Sequence, residues 1–456
     1  MILSLLPSRL NIMMNERLFR IMNGIYEHIF GYSMGGRARL FFKNLGITTF
    51  GFGAASFLTF GLTIFAGRLL GPIEYGKANL VFSISSFLAV PMGLWLNLAA
   101  IKYLASESRD TTRDLIASLL VLTFLSTIVS IPVIYFLQDQ FLILFHVGKG
   151  LFFFAVIFSL ILVFTNVGQT ILKGLHLFKK FASIHLISLF FFIAPFFVYF
   201  FIVGGEDFYG LVIPSGIRLL LIGTLALWVV REYLRLGRFQ YIRALSTYSL
   251  SGVIGIIPSN FSFGVVDQLL INYFLGPVFV GIYSAYFIFF QVINNKGFEV
   301  LLAVFFPVVA SITEKKAIFI KMNRLLVYSF LPAFFLIFLF MIVLLPFFGE
   351  TYPIDLSLVI LFALGILISL IASLYGWFVA SIGSRALRIV SFNLWVGASI
   401  NFLLAWFLIP RIGLHGAIIA LIASSCYYIG AFFIYFLRYD KSVYGISSSS
   451  TNVSNL

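Results

Sequence analysis

From residue 45 onward the chain alternates between long apolar runs and short polar breaks that collect its charged, Gly and Pro residues. A hydrocarbon layer of roughly 30 Å takes about 20 helical residues at 1.5 Å each, and the runs meet that length repeatedly. Six of them, at 45–66, 78–101, 115–137, 150–172, 183–203 and 209–230, make a first half. After a basic connector at 231–247, six more follow at 248–275, 278–312, 325–348, 356–382, 389–409 and 414–437. The predicted fold is all-α and polytopic, with about twelve transmembrane helices in two six-helix bundles, 45–230 and 248–437. Residues 1–44 read as an N-terminal arm and 438–456 as a tail, disordered where Ser and Asn dominate from Ser447.

Composition agrees with a lipid solvent, because a chain that is 61% hydrophobic and 10% charged has more apolar surface than a water-soluble core can bury. Its net charge of +14 would point to nucleic acid in a soluble protein. Here the cations sit in short loops, and an even number of spans assigns each loop a side by parity. One parity holds 24 Lys and Arg, while the other holds Arg68, Lys77, Lys149 and Arg411. Basic loops mark the cytoplasmic side, so the protein is expected in the cell membrane with both termini cytoplasmic and without a nucleic-acid partner.

No loop is long enough to fold as a separate domain, which argues against an ATP-driven pump with its phosphate-binding loop. It argues equally against a glycan polymerase built on a large external loop. The single cysteine, Cys426, permits no intrachain disulfide. His28, His146, His176, His185 and His415 lack metal-ligand spacing, so neither a metal nor another cofactor is expected.

The halves share a motif. Leu70-Gly71-Pro72 followed by Tyr75-Gly76 recurs 205 residues later as Leu275-Gly276-Pro277 followed by Val280-Gly281. Each copy closes the first helix of its half with a Gly-Pro turn. Leu-Gly-Pro alone is also a common hairpin, but equal six-span halves and identical placement favour a true repeat. An even number of helices per half gives both copies one orientation, with a pseudo-twofold axis along the membrane normal. That arrangement suits alternating access around a central cavity.

Three segments resemble the polysaccharide flippase branch of the multidrug/oligosaccharidyl-lipid/polysaccharide exporter superfamily. The first is Ala66-Gly67-Arg68-Leu69-Leu70-Gly71-Pro72-Ile73-Glu74-Tyr75-Gly76. The second runs from Asp267-Gln268-Leu269-Leu270 through Leu275-Gly276-Pro277 to Val280-Gly281-Ile282-Tyr283-Ser284-Ala285. The third is Asn393 and Asn401, then Leu408-Ile409-Pro410, Gly413 and Gly416-Ala417. The resemblance implies two six-helix bundles in a V and flipping of a polyprenyl-pyrophosphate-linked oligosaccharide for surface polysaccharide synthesis. It also implies membrane lipid and polysaccharide polymerase machinery as partners, with the transporter itself a monomer.

A pyrophosphate cannot cross hydrocarbon bare, so ionisable residues inside the spans are the candidate chemistry. Arg218 lies nine residues into the sixth span, near the midplane. A guanidinium there suits pyrophosphate oxygens, or else pairs with another helix or with carbonyls near Pro214. Lys296 and Glu299 lie three apart in the eighth span beside Gln291, Asn294 and Asn295. They form either a second cationic wall, with Lys296, Asn295 and Gln291 binding substrate, or a self-neutralised pair. Asp267, and with it Glu299, is the candidate carboxylate for coupling to a proton or Na+, unless it only pairs with Lys296 or Arg218. Arg68 and Lys102 read as snorkelling anchors or, with Gly71, Pro72, Gly276 and Pro277, as parts of a gate. The rival readings are a cation-coupled drug antiporter, which would carry a more acidic cavity, a membrane-bound glycan polymerase or transferase, and a substrate-free scaffold.

Overall fold

The computed structural model describes the backbone of residues 36–94, 96–104, 109–234, 239–247, 249, 264–297, 315–382 and 384–447. The arm up to residue 35, most of the predicted span 248–275, the later part of 278–312 and the tail from 448 lie outside the described residues. So do Glu299 and the side chains of Lys102, Asn295 and Lys296. The chain divides into two compact units, Met1–Phe50 and Gly51–Leu456. In the first, residues 36–50 are helical; all side-chain detail below belongs to the second.

Helix α1 (Gly36–Gly93) holds two helices that meet at Gly71. The first half continues with α2 (Leu96–Leu104), α3 (Arg109–Phe136), α4 (Gln138–Phe145) and α5 (Lys149–Gly174). It ends with α6 (Phe178–Phe197), drawn on in π-helical geometry to Val203, and α7 (Tyr209–Val229). The second half contains α8 (Val266–Leu275) and α9 (Pro277–Phe290), the latter continued as a π-helix to Gly297. It is completed by α10 (Lys315–Leu344), α11 (Leu356–Ala380), α12 (Ser384–Ile412) and α13 (Leu414–Ser447).

Among the described residues ten segments are long and apolar enough to cross a bilayer. One of them, Ser56–Gly93, includes both helices of α1, and α8 is the described end of a further predicted crossing. The protein is an all-α polytopic membrane protein of about twelve transmembrane helices. Several hydroxyls inside the spans are satisfied within their own helices, as where Thr63 donates to the Thr59 carbonyl at 2.8 Å and Thr123 to that of Leu119 at 2.9 Å. Such i−4 bonds let Ser and Thr sit in hydrocarbon at little cost.

Two elements depart from the predicted boundaries. The break at 138–149 holds α4, whose Phe145 is buried while Asp139 lies in its first turn. A search for crossings passes over so short an amphipathic helix. The last helix runs ten residues past the predicted end at 437, to Ser447, because Arg438-Tyr439-Asp440-Lys441 is polar without containing a helix breaker.

The repeated motif is a structural repeat. Gly71 has φ 67° and ψ 173°, and Gly276 has φ 91° and ψ 175°, a backbone conformation open only to glycine. The helices that follow cross each other reciprocally. A Cβ at Gly76 would stand 1.9 Å from the Pro277 carbonyl oxygen, and one at Gly281 would stand 1.9 Å from the Pro72 carbonyl oxygen. Position 76 meets position 277, and their equivalents 281 and 72 meet in turn, as a pseudo-twofold axis demands. Small residues let helix backbones approach in lipid, where there is no hydrophobic drive between helices.

A methyl group at either crossing glycine collides with backbone, which cannot rotate away. Gly281→Ala is expected to cost about 1–3 kcal/mol or more, read as a lowered thermal midpoint of the purified protein. Gly61→Ala, where a Cβ meets nothing within 4 Å, serves as the neutral control.

Candidate functional site

Helices of both halves enclose a cavity of about 620 Å³. Its wall is built from single stripes of apolar helices. Along the second arm of α1 these are Tyr75, Asn79, Ser83 and Ser86, along α5 Asn166, Gln169 and Lys173, and along α7 Leu211, Ser215, Arg218 and Ile222. Spacings of three and four put each set on one helix face. The second half contributes Gln268 from α8 and Ser284 and Gln291 from α9 with its extension.

Among the described residues the lining carries two cations, Lys173 and Arg218, and no carboxylate. Arg218 donates from Nη1 to the Thr59 hydroxyl at 2.9 Å and from Nε to the Ser188 hydroxyl at 3.3 Å. These neutral partners orient the guanidinium without neutralising it. The ion pair and the carbonyl contacts near Pro214 that the sequence left open for Arg218 are not formed among the described residues. Lys173 ends α5 with its Nζ 5.1 Å from the Phe181 ring centroid, within cation–π range.

Of the residues singled out from the sequence, Arg218 and Gln291 come together on this wall, whereas Asp267 does not reach it. Asp267 is 0% exposed, its Oδ2 accepting a bond from the Tyr283 hydroxyl at 3.1 Å while Oδ1 is buried without a hydrogen-bond partner. It pairs with no described cation, Arg218 included. Gly71, Pro72, Gly276 and Pro277 stand at the helix crossing, and Arg68 is exposed with its Cγ beside Gly349. Sequence reasoning missed Lys173, placed in a loop, together with Asn79, Asn166 and Gln169. The signal was present as a polar stripe at i, i+3 and i+7 in α5.

The two halves close on each other at the Gly71 end. Tyr352 donates to the Gly67 carbonyl at 2.8 Å, and Asn272 donates to the carbonyls of Phe145 at 2.6 Å and His146 at 3.1 Å. Gly67 and Asn272 are equivalent positions of the repeat, so the first helix of each half grips the loop after the third crossing of the other. The His146 ring stacks on Tyr273 with centroids 4.3 Å apart. On this same side Asp355 caps α11, and a hydrogen bond from the Ser357 hydroxyl holds its carboxyl below the usual range. Away from that end the cores separate. Leu104, Leu115, Ile171, Ile184 and Ala226 of the first half pack among themselves, apart from the core that joins the halves. The cavity therefore extends from a sealed floor beside Tyr75 toward the α5–α6 junction at Lys173 and Phe181.

A family model described as polysaccharide biosynthesis protein matches residues 41–313. The chain belongs to this family. A search of curated proteins finds no match. Among solved structures, this polysaccharide biosynthesis family member is similar to an inward-facing multidrug resistance MATE family transporter of the MOP superfamily. The TM-score is 0.60 at 14% identity, over 86% of this chain and 96% of that one. An outward-facing MATE structure gives 0.58 at 15% identity, over 90% and 97%. A MOP superfamily transporter from Pyrococcus furiosus, described as having a binding pocket of reverse polarity that suggests a different function, gives 0.51 at 14% identity over 88% and 96%. Family and fold together support a multi-pass membrane transporter.

Replacing Asn272 with Leu strips the Phe145 and His146 carbonyls of a donor at the sealed end. An unsatisfied buried acceptor costs about 1–3 kcal/mol, so Asn272→Leu is expected to lower the thermal midpoint. Circular dichroism at the helical band is the measurement.

Proposed function

We propose that this transporter flips a lipid-linked oligosaccharide from the cytoplasmic to the outer leaflet of the cell membrane, for assembly of a surface polysaccharide. The observation that carries the reading is the charge of the cavity, whose described lining holds two cations and no carboxylate in a wall otherwise rich in amides and hydroxyls. Diphosphate is the anion such a wall suits, because a guanidinium offers paired donors to phosphate oxygens and Lys173 adds a point charge. Asn79, Asn166, Gln169 and Gln291 supply both donors and acceptors for sugar hydroxyls. A volume of about 620 Å³ has room for a head group and its first sugars; the polyprenyl tail stays in lipid. The basic loops set the Gly71 end on the outer face, so the cavity opens toward the cytoplasm, where such glycolipids are assembled.

Asp267 serves as the coupling group for a proton or Na+ in this scheme. A bare carboxylate buried in apolar surroundings costs several kcal/mol, so it holds a cation or a proton there. The drug-antiporter alternative fits less well, since two cations repel the cationic drugs such a transporter carries. The transporter from Pyrococcus furiosus with reversed pocket polarity offers a precedent for a different cargo on this fold.

Deleting the gene in a host with a defined surface glycan is expected to trap lipid-linked repeat units in the cytoplasmic leaflet, and normal glycan export would overturn the proposal. Losing one charge-assisted contact costs about 1.5–3 kcal/mol, so Arg218→Ala and Lys173→Ala should each weaken glycolipid binding roughly 10- to 100-fold, with protein levels kept. Arg218→Lys should restore part of the loss. Asp267→Asn is expected to make export in proteoliposomes insensitive to an imposed proton or Na+ gradient while glycolipid binding persists.

A further inference from the structure

Gln268 ties the two halves together by a hydrogen bond on the cavity wall. Its Oε1 accepts a hydrogen bond from the Ser83 hydroxyl of the second α1 helix, across the interface between the halves. Its Nε2 donates to the Ser284 hydroxyl of α9 at 3.3 Å, within its own half. Ser83, Gln268 and Ser284 are 5%, 3% and 3% exposed, yet all three line the cavity. Ser83 and Ser284 stand on the helices that cross at Gly76 and Gly281, and Gln268 on α8, which leads into the Gly276 turn. The hydrogen bonds that close the Gly71 end, from Tyr352 to Gly67 and from Asn272 to Phe145 and His146, involve no residue of the described lining, whereas Ser83 and Gln268 both line the cavity.

We propose that Gln268 is where cargo loosens the halves: a hydroxyl or amide N–H of the cargo replaces the Ser83 hydroxyl on the Gln268 carbonyl, removing an inter-half bond and favouring opening at the Gly71 end. The exchange is one donor for another, so Gln268 stays satisfied while Ser83 turns back to its own helix, the bond Ser85 and Ser86 already make to carbonyls four residues earlier. Only a cargo with hydrogen-bond donors achieves it; a lipid diphosphate without sugar, ionised and acceptor-only, does not. In this way the latch opens for loaded carrier and stays shut for the bare lipid. The inference rests on the oligosaccharide reading above, for the chemistry of the cargo alone.

The test uses the full-length protein in nanodiscs, with Cys426→Ser removing the single cysteine and spin labels on Ile73→Cys and Val278→Cys. These two exposed positions are equivalent in the repeat and flank the helix crossing. Distances between the labels are read by double electron–electron resonance. Wild type alone is expected to give a short-distance population, and polyprenyl-pyrophosphate-linked oligosaccharide to add a longer one, whereas polyprenyl pyrophosphate alone does not. Ser83→Ala should show the longer population without any addition, and Gln268→Met should do the same. If both variants keep the wild-type distribution, the latch is overturned, even where the glycolipid still shifts wild type and the flippase reading stands. If the variants open but wild type ignores the glycolipid, cargo release is overturned and the fault lies with the choice of cargo. An equal response to sugar-free polyprenyl pyrophosphate would overturn the requirement for a donor.

Discussion

Everything else in this protein depends on two backbones touching where a side chain would forbid it. At Gly76 and Gly281 the helix that follows each Gly-Pro turn lies against the carbonyl of the other's proline, leaving no room for a Cβ at either glycine. Lipid supplies no hydrophobic force to pull helices together, so close packing and hydrogen bonds must do it. The crossing gives both. It brings Tyr352 to Gly67 and Asn272 to the Phe145–His146 carbonyls, and these grips repeat the same symmetry. Among the described residues the tight contacts between the halves gather at the Gly71 end, and the cavity lies between the halves beyond it.

That geometry decides what the polar residues can do. Asn166 and Gln169 on α5, or Arg218 on α7, would be costly on a lipid face. Turned inward they share one polar chamber, where the hydroxyls of Thr59 and Ser188 orient Arg218 without cancelling its charge. Surrounding apolar helices keep the local dielectric low, so two cations attract an anionic head group more strongly there than on a wet surface.

Helix α8 separates two kinds of chemistry by a single residue step. Successive positions on an α-helix point about 100° apart. Asp267 therefore faces Tyr283 inside the second half, out of reach of the cavity, while Gln268 faces the cavity and the first half. A buried acid and a cavity-facing amide thus ride on one short element ending at the Gly276 turn. Movement of that element touches both.

The sequence by itself determined the membrane solvent, the number of crossings and the duplicated turn, because each follows from local quantities: run length, apolar content, and glycine where the backbone needs positive φ. It also marked Arg218, since a charge at mid-span has few tolerable surroundings. It could not say that Asp267 lies behind the wall and Arg218 on it, nor that Lys173 at a helix end faces the same chamber. Nor could it foresee that Gly76 and Gly281 serve each other's half and not their own. Those facts depend on how far and at what rotation the helices meet, and in a chain apolar on nearly every face, periodicity does not fix rotation. Only the tertiary packing, set by the two glycines and by the grips at Gly67 and Asn272, turned the polar stripes toward one another.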